Sequence, residues 1–191
     1  LTLGKAVPYL VAALSDGSWR SMVLTSSWLA GAGGLLVLVT VRDGPYVSAS
    51  APFDPRAAGR VFIQRGTRLG VLGYLGHMWE LYAMWTWVGA YVAAALTLQG
   101  VANAVHLGST AAFVAIAAGG AGCVVAGFYA DKLGRARIAA LSMMTSATCC
   151  ALTVPAFTAP YYVLLALVGV WGFAVVADSA QFSAIVSETA D

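Results

Sequence analysis

The sequence predicts an all-α, polytopic transmembrane helical bundle, and three observations carry that expectation. Apolar residues make up 60% of the chain and charged residues only 9%, where a soluble domain carries about 25% charge. Mean hydropathy is +0.82, more apolar surface than a soluble globule can bury. The apolar residues also fall into runs near the roughly 20 residues that cross a bilayer, and the basic residues gather in alternate joints between the runs.

In chain order, residues 1–14 read as the second part of a span, closed by "SDGSW". Residues 21–41 form a span ending at Arg42 and Asp43. Residues 70–96, 107–130, 137–157 and 160–186 supply four more, the last with a polar final third. The chain begins at Leu1 without a methionine, shows no signal-peptide cleavage site, and is expected to be an internal fragment of a longer protein.

Charge distribution sets the orientation. The 42–69 joint holds Arg42, Arg56, Arg60, Arg65 and Arg68, and the 131–137 joint holds Lys132, Arg135 and Arg137, so eight of the ten basic residues lie on one side. The intervening joints "TLQGVANAVH" and "FTAP" carry none. The basic joints are expected on the cytoplasmic face. Within the long joint, Asp54 can cap a helix with Pro55 at its first position. Val61, Phe62 and Leu69 would then oppose the arginines, giving an amphipathic surface helix. A solvated linker fits the same residues.

The stretch "GFYADKLGRAR", residues 127–137, concentrates charge after more than twenty uncharged residues. Gly127 would let two backbones approach, Gly134 permits a turn, and Asp131 can cap the helix or pair with Arg135. Read on charge alone, it is an ordinary positive-inside loop. Its spacing resembles the signature of major facilitator superfamily transporters, which Gly127, Asp131, Lys132, Gly134, Arg135 and Arg137 match.

That resemblance implies a cytoplasmic latch at these six residues, between spans 8 and 9 of twelve. It divides the chain into the end of an N-terminal six-helix half (1–41, spans 5 and 6), a central cytoplasmic loop (42–69) and the start of the C-terminal half (70–191, spans 7 to 10). "LTLGKAVP" is similar to the family's fifth span. "GYLGHMWELYAMW" and "ADSAQFSAIVSE" resemble a bacterial branch loosely grouped with nitrate/nitrite carriers, which implies the bacterial inner membrane. Those carriers hold the anion with an arginine in span 8. Residues 107–130 contain no arginine or lysine, so the resemblance does not extend to nitrate as substrate.

Ionisable groups at membrane depth are costly and are functional candidates by default. His77 and Glu80, three apart on one helix face, are continued by Met84, Trp87 and Tyr91, with Gly70, Gly73 and Gly76 available for close packing. Glu80 is the candidate carrier of a coupling proton, tuned by His77. A structural hydrogen-bonded pair between helices is the plainer reading. Asp178, with Gln181 and Phe182 on its face, reads either as a cavity-lining acid or as a cytoplasmic-end cap or latch partner. Lys5, near mid-membrane, could pair with Glu80 or bind an anionic group. The aromatic residues Trp79, Tyr82, Trp85, Trp87 and Tyr91 run around the helix, most of them as packing or lipid-facing residues.

The resemblance therefore implies a secondary active transporter of a small solute or anion, coupled to protons and working by rocker-switch alternating access. Its partners would be the small-molecule substrate, protons, the bilayer and the remaining spans of the parent protein, with no nucleic acid and no cofactor. Two other classes remain open. A membrane-embedded enzyme would use "HMWE" as a metal or acid–base pair, although only His106 remains as a further histidine. A receptor or assembly protein could also be built on such a scaffold. The three cysteines, Cys123, Cys149 and Cys150, sit in apolar runs without metal spacing and read as packing residues.

Overall fold

The structure, a computed structural model, describes residues 2–14, 18–42, 59 and 63–189. They form seven helices: α1 (Thr2–Leu14), α2 (Trp19–Thr40), α3 (Arg65–Leu98), α4 (Ala104–Leu133), α5 (Arg135–Ala156), α6 (Tyr161–Ala177) and α7 (Ser179–Thr189). Among the described residues, α2, α3, α4, α5 and the α6–α7 pair taken together are long and apolar enough to cross a membrane. This is an all-helical, membrane-embedded chain. Only helices satisfy their own backbone groups in hydrocarbon without a closed sheet. Threonines do the same with their hydroxyls: Thr86, Thr97, Thr110, Thr145 and Thr148 each donate to the carbonyl four residues back.

The helix boundaries differ from the expected ones by a few residues at most ends, and three of the differences bear on the site. Helix α3 starts at Arg65, so the last residues of the 42–69 joint belong to the span itself. The segment 160–186 divides at Asp178, whose carbonyl accepts from the amides of Gln181 and Phe182 and restarts the chain as α7. Helix α4 begins at Ala104, three residues before the expected 107. The surface helix expected from Asp54 and Pro55 lies outside the described residues.

Two joints turn on glycine. Helix α3 ends in a Schellman arrangement: Gly100 has φ +75°, its amide bonds Thr97 O, and the Val101 amide bonds Leu96 O. At the α4–α5 joint a single residue, Gly134 with φ +89°, reverses the chain. An L-residue would be strained there.

Helix α4 is the hub, packing against α1, α3 and α6. Its contact with α6 is a small-residue seam in which a Cβ on Gly122 would strike the Phe173 carbonyl and one on Gly172 the Ala115 carbonyl. In a bilayer such close backbone approach replaces the hydrophobic drive between helices. Met84, Val88, Val92, Ala111, Ala115, Leu164, Val168 and Val175 fill the core around it. Helix α2 buries no residue and packs chiefly against α1 among the described helices.

One end of the bundle collects the basic residues. Gly70, in the first turns of α3, lies against Ile185 and Val186 of α7, and Arg135 at the start of α5 pairs with Glu188. Arg65, Arg68, Lys132, Arg135 and Arg137 therefore share that end. His106, at the start of α4, lies 3.3 Å from the Ala13 carbonyl at the opposite end.

Candidate functional site

Helix α3 presents two neighbouring faces, and each carries one of the candidate residues. On the first face, Gly70 and Gly73 let α7 approach: a Cβ on Gly73 would sit 2.5 Å from Phe182 Cε1. Gly76 meets nothing and plays no such part. That approach brings His77 to Asp178, Nδ1 to Oδ1 at 2.9 Å, with side-chain exposures of 0% and 2%. The contact lies off the imidazole N–H direction, so it is a close polar contact and not an aligned hydrogen bond. Tyr74 stacks on the His77 ring at 6.0 Å between centroids, and Phe182 tilts against it at 5.9 Å. Nε2 of His77 is buried with no hydrogen-bond partner among the described residues.

The second face carries Glu80. A separation of three residues turns it about 60° from His77, toward α5 and α6. Trp171 Nε1 donates to Ser146 Oγ at 2.9 Å, and the Ser146 hydroxyl donates in turn to Glu80 Oε1. Ser146 is fully buried and Glu80 half-buried. Beside this chain of donors lies a cavity of about 400 Å³, within the range of small-molecule sites. Trp79, Glu80, Met84, Trp87 and Tyr91 of α3 line it together with Cys150 and Thr153 of α5 and Trp171 of α6. Tyr91 braces its far end by donating to the Thr153 carbonyl at 2.6 Å.

Of the expected site residues, only Glu80 reaches this cavity. His77 and Asp178 form their own buried pair behind it. Gln181 is buried and accepts from Arg135 Nη1 at 3.5 Å, which attaches it to the charged end of the bundle. Lys5 does not pair with Glu80. Its Nζ lies 4.8 Å from the ring centroids of both Tyr82 and Trp85 and 3.4 Å from the Tyr82 hydroxyl. Those residues point away from Glu80 around α3, so α1 docks on a different side.

The 127–137 stretch also differs in detail. Asp131 lies in the last turn of α4 and caps no helix start. It forms no ion pair with Arg135, because Gly134 breaks the helix between them and removes the i, i+4 geometry. Arg135 instead donates through Nε to Glu188 at 2.9 Å. Lys132 lies over the Phe128 ring at 4.2 Å, and Arg137 is exposed. Gly127 faces open space among the described residues, and the close approach occurs at Gly122, more than one turn earlier.

Sequence reasoning missed Ser146 and the Arg135–Glu188 pair. Ser146 sits in "LSMMTSATCC", where serine and threonine normally bond their own helix, so nothing local marks it as the partner of an acid. Among the described residues, no group of three or more His, Cys, Asp or Glu side chains is placed to hold a metal ion. No family model, curated protein or solved structure matches the chain.

Proposed function

We propose that this chain is part of a proton-coupled secondary active transporter of the major facilitator type, moving a small solute across a bacterial inner membrane by rocker-switch alternating access. The observation that carries the reading is the placement of Glu80. It stands about 22 Å along α3 from Arg65, at membrane depth, half-buried on a cavity, hydrogen-bonded to Ser146 of α5 and through that hydroxyl linked to Trp171 of α6. An acid kept at that depth beside a solute-sized space suits a group that exchanges a proton during transport. The basic end of the bundle, with the 42–69 and 131–137 joints, is its cytoplasmic side. The exposed Arg135–Glu188 pair on that side suits a latch, since a surface pair can be broken at small cost. The packing of α1 on α4 supplies the contact between the two halves that rocking requires.

The test uses the intact protein in proteoliposomes with an internal pH reporter. Solute-dependent proton movement is expected in the wild type and its loss in Glu80→Gln, with expression unchanged. Undiminished pH-dependent uptake in that variant removes Glu80 from the mechanism. No solute-dependent proton movement across a broad panel removes the transport reading.

A further inference from the structure

Three of the ten residues lining the Glu80 cavity are tryptophans, Trp79, Trp87 and Trp171, and a fourth aromatic, Tyr91, closes its end. Among the described residues Glu80 is the one carboxyl group on the wall, and no lysine or arginine lines it. Aromatic faces attract cations through their negative quadrupole, tryptophan most strongly, and do so more when water is excluded. A carboxylate adds the matching charge. An anion would face both an acid and the negative faces of the rings, so the wall selects against it.

The neighbouring surface of the same helix already shows this chemistry at work. There Tyr82 and Trp85 flank the Lys5 ammonium at 4.8 Å from each ring centroid. The Glu80 cavity repeats the arrangement with more aromatic surface and an acid, in about 400 Å³.

We infer that the Glu80 cavity binds an organic cation, an amine or quaternary onium ion bearing apolar groups, and that this cation and a proton compete for the Glu80 carboxylate. The inference rests on reading the cavity as the transport site and names its substrate class. The exchange balances: protonated Glu80 gives up its O–H proton to solvent, and the freed carboxylate takes the cation as counter-ion. The Ser146 hydroxyl donates to Oε1 of the Glu80 carboxyl group. The other titratable groups around Glu80 are His77 on its own helix, Asp178 between α6 and α7, Tyr91, and the Cys150 thiol of α5. His77 and Asp178 are paired with each other, which leaves Glu80 as the acid open to the cavity.

The test is binding of tetraphenylphosphonium to the intact protein in nanodiscs, read by quenching of tryptophan fluorescence against empty nanodiscs, from pH 6 to 9. Binding is expected to tighten as pH rises and to release a proton in weakly buffered solution. Glu80→Gln should weaken it about tenfold or more, about 1.4 kcal/mol, and flatten the pH dependence. Trp87→Leu, at an exposed position that does not threaten the fold, should weaken it about fivefold while keeping the pH dependence. Preference for naphthalenesulfonate over tetraphenylphosphonium, or binding indifferent to pH and to both substitutions, overturns the inference. Cation binding without cation-driven proton movement in proteoliposomes leaves the site standing and removes the transport reading. Proton-coupled movement of another solute with no phosphonium binding does the reverse.

Discussion

The buried His77–Asp178 pair allows a quantitative prediction about stability. Replacing His77 by Phe keeps a ring between Tyr74 and Phe182 but leaves Asp178 without its partner; replacing Asp178 by Leu strands the imidazole. With side-chain exposures of 0% and 2%, water cannot take over either role. Breaking a buried pair by removing one partner costs about 3–5 kcal/mol. The lower end, about 3 kcal/mol, applies here because the 2.9 Å contact is not an aligned hydrogen bond. For a chain of this size that is a fall of about 6–12 °C in the thermal midpoint. The double substitution leaves two apolar side chains facing each other and no stranded polar group, and such replacements are often neutral. It is expected to return to within about 1 kcal/mol of the wild type. Thermal unfolding in mild detergent, followed by near-UV circular dichroism, measures all four proteins. Single variants within about 2 °C of the wild type, or a double variant that falls by the sum of the singles, would show that the pair does not hold α3 to α7.

The seam between α4 and α6 gives a contrast within one helix. Gly172→Ala drives a methyl into the Ala115 carbonyl and should cost about 1–3 kcal/mol, more than the helix-propensity gain of about 1 kcal/mol restores. Gly169→Ala meets only Val114, at 4.0 Å, and should leave the thermal midpoint unchanged or slightly raised. At the basic end, Arg135 and Glu188 are 34% and 58% exposed, so Glu188→Gln should change stability by less than about 1 kcal/mol. The same variant should reduce the dependence of the thermal midpoint on salt, which screens exposed pairs.

Much of this architecture is legible in the sequence because its causes are local. Hydropathy marks the spans, the arginine and lysine positions mark one end, and the glycine of "KLGRAR" takes the positive φ that the turn needs. What is not legible depends on which helix face meets which neighbour. His77 and Glu80 are adjacent candidates by spacing, yet α7 claims one and α5 with α6 the other. Gly122 and Gly127 lie on one helix, and only packing decides that the first meets a backbone. Arg135 could have paired with Asp131 by spacing alone. The Gly134 turn ends the helix between them, and the reach of α7 supplies Glu188 instead. Ser146 escaped notice for the same reason, since a hydroxyl's partner in a span is set by tertiary approach and not by the residues beside it.

Asp178 lies against one face of α3 and Glu80 projects from another, and this also bears on which of the two acids can act. An acid in hydrocarbon must be satisfied, and the two are satisfied in different ways. Asp178 is held by an imidazole with no solvent on either side, so releasing it strands two buried groups at once. Glu80 is held by one neutral group, the Ser146 hydroxyl, a bond worth about 1.5–3 kcal/mol to an ionised carboxylate, and it faces a cavity a ligand can enter. A group that must gain and lose a partner in every cycle has to sit where that exchange is cheap. By this criterion Glu80, and not Asp178, suits the exchanging acid of the proposed transport cycle, and the His77–Asp178 pair suits a fixed bracket between α3 and α7.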